Sequence, residues 1–314
     1  MDFERSDTQR ALRDALGALL GRYAGTARSR ELAIHGEYDR ALESALRDGG
    51  FLDLFGDPGA GPLDAVLAVE QISGELGAIT AVPHLLVLPA LGLPPHEGPV
   101  VLAARAAAGP MRYGAHAERI LIAGADRSVV AGDLAPDDAT PLPSAFGYPL
   151  ARVAVRGSLR HARKLPPGSS EIMVNWWRLG VSAEALGMMQ KALDLTVQYV
   201  KDRKVFKRPL GSFQALQHRL AELSVLVEGS RWLTYEAAFH DAPEEAAAVA
   251  SAQTMAALHR LTRETHQIMG AIGLTREHDL HLWTLRMQAL RAELGGLREH
   301  RRAVAESRWG AAAV

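Results

Sequence analysis

The chain has 314 residues, 48% of them hydrophobic, enough for a sizeable core and incompatible with a disordered polymer. Lys and Arg number 35 against 36 Asp and Glu, so no net field draws nucleic acid or an anionic membrane surface. Cysteine is absent, which excludes disulfides, thiolate metal sites and a cysteine nucleophile and fits a reducing compartment.

The opening Met1-Asp2-Phe3-Glu4-Arg5 lacks a basic segment followed by an apolar run, so no secretion signal is expected and the location implied is cytoplasmic. Residues 7–93 read as helical. Leu12, Leu16, Leu19 and Leu20 recur near a period of 3.6 with Asp7 as the cap, residues 38–47 repeat the style, and Gly49-Gly50 stops that helix. A Gly- and Pro-rich loop covers residues 51–62, and residues 65–76 resume an apolar helix face. The most apolar stretch, 81–93, is too short to span a bilayer and is broken by Pro83, His84 and Pro89.

Between residues 98 and 163 the period changes. Arg119-Ile-Leu-Ile-Ala, Ser128-Val-Val-Ala and Leu150-Ala-Arg-Val-Ala-Val are short β-type runs between Gly, Pro and Asp turns. From Ser169 the helical pattern returns almost to Val314, with breaks at Pro209-Leu-Gly211, at 241–243 and at 270–273. The expected fold is mainly α in an α+β chain: an N-terminal helical domain (1–97), a reduced β domain (98–165) and a C-terminal four-helix bundle (166–314).

Two blocks in the last segment resemble the acyl-CoA dehydrogenase family. Asp202-Arg-Lys-Val-Phe-Lys-Arg-Pro-Leu-Gly-Ser-Phe-Gln-Ala-Leu-Gln-His-Arg-Leu-Ala-Glu222 is similar to the family's Arg-x-x-Phe-Gly turn, which leads through Phe-Gln to a helix with Leu-Ala-Glu. Gln267-Ile-Met-Gly-Ala-Ile-Gly273 is similar to its Gln-x-x-Gly-Gly-x-Gly turn, with Ala271 in place of the second Gly. The resemblance implies an FAD flavoprotein. It assigns the pyrophosphate to Arg203, which suits a planar guanidinium fork, flavin packing to Phe206, and a hydrogen bond to Gln214 beside Phe213. Gln267, Gly270 and Gly273 would approach the FAD held mainly by a neighbouring subunit. On the residues alone, Lys201, Arg203, Lys204, Lys207 and Arg208 also read as a solvated basic turn.

The family's chemistry removes the α-proton of an acyl thioester and passes the β-hydride to flavin, so it needs a carboxylate base. One family position for that Glu lies ten residues before the glycine matching Gly187 and falls on Trp177. The other falls near Gly295-Gly296. Glu293 is two residues from the second. Glu184 is seven residues beyond Trp177, roughly 10 Å along a helix axis. The run Val101-Leu-Ala-Ala-Arg-Ala-Ala-Ala-Gly-Pro110 goes straight to Met111-Arg-Tyr-Gly, without the family's Thr-Glu-Pro and Gly-Ser loop, so the β domain reads as truncated. Trp176 and Trp177 can line or plug an acyl pocket, or serve as buried packing.

No His follows a Glu by three residues, so Glu277-His-Asp-Leu-His281 does not make a di-iron motif, and no metal is expected. Gly56-Asp-Pro-Gly-Ala-Gly61 lacks the Lys-Ser/Thr ending of a P-loop and reads as a loop.

Three readings stay open. In the first, the chain is the base-lacking subunit of a heteromeric acyl-CoA dehydrogenase of the steroid side-chain type. It would pair with a related subunit carrying the catalytic Glu as a heterodimer or heterotetramer, act on an acyl- or steroid-CoA thioester, and pass electrons to an electron-transfer flavoprotein. In the second, it is a scaffold or ligand-binding relative without flavin. In the third, it is a homomeric enzyme with Glu293 as base.

Overall fold

Residues 5–104, 109–154 and 159–310 are described by the structure, a computed structural model. Residues 1–4 of the opening run, 105–108 of the truncated β segment, Val155 at the end of the third β-type run, and 311–314 lie outside the described residues.

Helix α1 (Asp7–Tyr23) buries Leu16, Leu19 and Leu20. Its cap is Ser6 and not Asp7. The Ser6 Oγ accepts from the Gln9 amide at 3.1 Å while the Gln9 side chain accepts from the Ser6 amide at 3.1 Å, so two orphan donors are satisfied at once. A further helix, α2 (Thr26–His35), follows Gly25. No side chain caps it and only Ser29 and Leu32 are buried, which leaves little periodic signal in the sequence. Helix α3 (Arg40–Asp48) ends at Gly49, and α4 (Pro62–Gly74) starts with proline in its first turn, where no amide donor is needed. The apolar 81–93 stretch forms a π-helical turn (Pro83–Val87) and the short α5 (Leu88–Ala90), all inside the protein apart from the half-buried end. No described helix is long and apolar enough to cross a membrane.

The β segment makes two sheets. β1 (Val100–Ala103), β3 (Arg119–Ala123), β4 (Val129–Asp133) and β7 (Arg160–Lys164) form one in the order β1-β3-β4-β7, with β1 and β3 parallel and the other pairs antiparallel. β2 (Pro110–Arg112), β5 (Ala139–Leu142) and β6 (Leu150–Val153) form an antiparallel sheet in the order β2-β6-β5. The period of two explains how they pack: Val101 and Ala103 face a small core with Met111, Ile120, Leu134 and Val153, whereas Val100 and Leu102 join the helical core.

Helix α6 (Ser169–Asp202) has 34 residues, about 50 Å of helix, and is the axis of the C-terminal bundle. α7 (Gln214–Phe239) and α8 (Glu244–Met269) pack with it, α10 (Gly296–Trp309) packs on α8, and α9 (Leu280–Leu290) lies against α6. Between α6 and α7 lies a hairpin of β8 (Lys204–Val205) and β9 (Arg208–Pro209). The breaks at 209–211, 241–243 and 270–273 all fall between helices. One core runs through both helical blocks, from Leu16 to Leu290. At its centre α4 crosses α6 at a glycine pair, where a Cβ on Gly187 would lie 2.0 Å from the Glu70 carbonyl oxygen. Glu70 also joins α4 to α7, accepting from Arg231 Nε at 3.1 Å and from the Tyr235 hydroxyl at 2.7 Å.

Candidate functional site

Two sets of candidate residues occupy different environments. The first is the α6–α7 connection. Arg203 is the extended residue that ends α6, its amide bonded to the Tyr199 carbonyl at 2.8 Å, and its side chain is exposed. The hairpin turns through Phe206 and Lys207, at φ of 49° and 67°. Positive φ at two successive non-glycine residues is the geometry of a tight two-residue hairpin turn, and here it holds Phe206 at 89% exposure. Arg203, Lys204 and Lys207 find no carboxylate among the described residues, and Arg208 stacks on the Phe213 ring at 4.0 Å. Gln214, the first residue of α7, is exposed.

Gln267 and Gly270 are exposed at the end of α8, while Gly273 is buried, with room for no side chain because a Cβ would lie 2.9 Å from Met269 Cβ. This turn sits at the same end of the bundle as the hairpin. Thr196 Oγ1 lies 3.8 Å from Met269 Sδ, and Tyr199 meets His278 edge to face at 6.2 Å. The fold therefore gathers the seven residues at one end, most of them on an exposed, cation-rich edge with an apolar tip and Gly273 buried beneath it.

The second set is interior. Trp176 and Trp177 are buried, Trp176 edge to face with Phe55 at 4.9 Å. Glu184 and Glu293, on different elements and distant in sequence, converge on one residue that the sequence reading did not single out. Arg112, at the end of β2, donates through Nη1 and Nη2 to Glu184 at 3.2 and 2.8 Å and through Nε to Glu293 at 2.7 Å. All three side chains are at least 84% buried. Burial opposes the Arg112 charge, but the two carboxylates outweigh it and hold the guanidinium well above its ordinary value. Both carboxylates are thus committed to a fixed cation, and neither is free to meet a substrate proton.

Tyr148 forms the other wall. Its ring lies 5.1 Å from the Arg112 guanidinium and 4.8 Å from that of Arg286, and burial pushes its hydroxyl up to about 12. Beside Trp177, Arg178 is buried enough that desolvation lowers its pKa. Its Nη1 reaches Asn175 Oδ1 at 3.4 Å and its Nε meets nothing. Burial, reinforced by Arg178, pushes His300 down to about 4, with Nδ1 3.0 Å from Ser251 Oγ. An arginine inside an apolar helix stretch was the signal for Arg178. Arg112 gave none, because its partners lie 72 and 181 residues away. Among the described residues no group of three His, Asp or Glu side chains could hold a metal ion.

Comparison with known proteins places this architecture. The family profile described as acyl-CoA dehydrogenase, C-terminal domain, matches residues 170–308. Acyl-CoA dehydrogenase IpdE2 of Mycolicibacterium smegmatis is 38% identical over 135 residues, 43% of this chain and 43% of that protein. The match thus spans less than half the length of this curated relative. Among solved structures, the ChsE4-ChsE5 complex from Mycobacterium tuberculosis aligns at a TM-score of 0.85 and 22% identity, covering 98% of each chain. A variant of the Tcur3481-Tcur3483 steroid ACAD aligns at 0.84 and 20% identity, covering 96% of this chain and 97% of that one. The chain therefore has the acyl-CoA dehydrogenase fold, and its residues 170–308 match the acyl-CoA dehydrogenase C-terminal domain.

Proposed function

We propose that this chain is the base-lacking subunit of a heteromeric, flavin-dependent acyl-CoA dehydrogenase. It assembles with a related subunit that carries the catalytic Glu and dehydrogenates an acyl- or steroid-CoA thioester at the α,β positions. The observation that carries this reading is the Arg112 clamp on Glu184 and Glu293, the two carboxylates that could stand in for the family's base. Trp177 and Gly295 occupy the positions where the family places that base.

The exposed edge fits an FAD. Unpaired cations on a protruding hairpin suit a pyrophosphate, and the uncovered Phe206 suits a flat aromatic ligand or a partner surface. Arg203 would hold the pyrophosphate, Phe206 and Phe213 would pack at the flavin end, Gln214 would donate a hydrogen bond, and Gln267, Gly270 and Gly273 would meet the cofactor at a subunit boundary. FAD, when bound, supplies the hydride acceptor. This chain's own residues bind and orient it, and the Arg112 cluster fills the interior between β2, α6 and α10 with a closed network. The partner supplies the base, and an electron-transfer flavoprotein accepts the electrons. In this reading residues 1–97 and 98–165 support the site, and 166–314 supply assembly contacts. The steroid relatives favour a steroid side-chain thioester as substrate.

The test is an assay of the purified single chain with medium-chain and steroid thioesters and a dye acceptor. General base catalysis is worth roughly 10² to 10⁴ in rate, so turnover by the chain alone should be lower by about that factor than with a Glu-bearing partner added. Robust turnover by the chain alone that disappears in Glu293→Gln would make it a homomeric enzyme. A colourless assembled preparation would favour the scaffold.

A further inference from the structure

A cavity of about 650 Å³ opens between α2, the connection from β5 to β6, and the start of α9. Its volume is that of small-molecule sites. It shares no residue with the hairpin edge and none with the Arg112, Glu184 and Glu293 cluster. Tyr148 lines it, and the same ring that meets Arg112 also meets the residue on which the site turns.

That residue is Arg286. Its side chain is 1% exposed, yet no carboxylate pairs with it among the described residues. Its partners are neutral: Nη1 donates to the Leu76 carbonyl at 2.9 Å, Nη2 donates to Ser29 Oγ at 3.1 Å, and the guanidinium stacks on Tyr148. Nε is buried and donates to nothing. A buried cation without an anion, keeping an idle N–H donor, is energetically unfavourable unless something completes it. Arg112 on the same ring shows the completed state, with two carboxylates.

Both Arg286 and Gly147 line the cavity, and a Cβ built on Gly147, whose φ is 70°, would stand 3.4 Å from Nε. Glycine there leaves that side of the guanidinium without a covering side chain. The lining carries charge of both signs, Arg276 and Glu37, and Arg30, which is paired with Asp279. The walls are mostly apolar, with Leu142, Phe146, Leu282 and Leu285 among them.

We propose that this cavity is a binding site for a small organic carboxylate on a compact apolar body, whose carboxylate completes the unpaired Arg286 guanidinium. A planar carboxylate matches a guanidinium edge, and the apolar walls take the hydrocarbon part. The site is separate from the dehydrogenation proposed above and does not depend on flavin.

The experiment is ligand-observed NMR on the assembled protein with cyclohexanecarboxylate, the neutral cyclohexylmethanol and inorganic phosphate as probes. The acid should bind at least tenfold more tightly than the alcohol or phosphate. Ala33→Trp, at an exposed position on the rim, should abolish acid binding with the circular dichroism unchanged. Arg286→Met, if it folds, should erase the preference for acid over alcohol. Equal binding of acid and alcohol, no binding of the acid, phosphate binding as tightly as the acid, or acid binding that survives Ala33→Trp would each overturn the proposal.

Discussion

The hairpin edge and the Arg112 interior carry the same chemistry, guanidinium groups among aromatic rings, in opposite states of completion. Inside, one arginine meets two carboxylates and a tyrosine face and asks for nothing further. At the edge, three cations and a phenylalanine stand in water with their partners missing from the chain. A satisfied buried network maintains the fold, whereas an unsatisfied exposed one becomes useful only when something arrives. The contrast separates what this chain keeps for itself from what it offers to an assembly.

The largest expected effect is on the interior. Arg112→Ala leaves two buried carboxylates without their cation and should lower unfolding stability by about 3–5 kcal/mol, read from urea midpoints. The triple variant Arg112→Met, Glu184→Gln, Glu293→Gln should recover most of that loss. An Arg112→Ala midpoint equal to that of the parent chain would show that the network is not closed.

Acid should sharpen the same contrast. Burial is the main cause that pushes His84 and His300 down to about 4, against the pull of Glu43 and helped by Arg47 and His96 at the first, and helped by Arg178 at the second. The unfolded chain takes up protons near pH 6.5 while the folded one resists until about 4, so stability is full above 6.5 and drains as pH falls through that window. Each residue accounts for about 3 kcal/mol at the lower limit. His300→Gln should flatten the melting temperature between pH 6.5 and 4, and a profile as steep as the parent's would assign the loss elsewhere. Beside the edge, burial lowers His266 in the same direction.

The edge should respond to Arg203→Ala. Losing a charge-assisted contact to phosphate removes about 1.5–3 kcal/mol, so flavin affinity of the assembled complex should fall roughly tenfold to a hundredfold. Folding stability of the same variant should change by no more than about 0.5 kcal/mol, because the side chain is exposed. Unchanged flavin absorbance after gel filtration would remove Arg203 from the cofactor.

Much of the fold was legible because the chain announces its periods. The switch to β-type runs and back matches the strands between Val100 and Lys164, and the glycine and proline breaks fall between bundle helices. Helix α2 escaped because its glycine start and polar composition carry neither a cap nor a stripe. The edge residues could be named as candidates because their motif is local. The clamp was not, because Arg112 meets Glu184 and Glu293 only through tertiary packing. Arg286, bonded to a carbonyl 210 positions away, was hidden for the same reason.

The glycine crossing of α4 and α6 sets how this chain can drift over generations. Every residue one nucleotide away from a glycine codon carries a Cβ, and at position 187 that atom would occupy the space of the Glu70 carbonyl. The same rigid helix bears the clamp at Glu184 and, about 28 Å further along, the base of the hairpin at Arg203. The spacing between the closed interior and the outstretched edge is thereby passed on as a single unit of length.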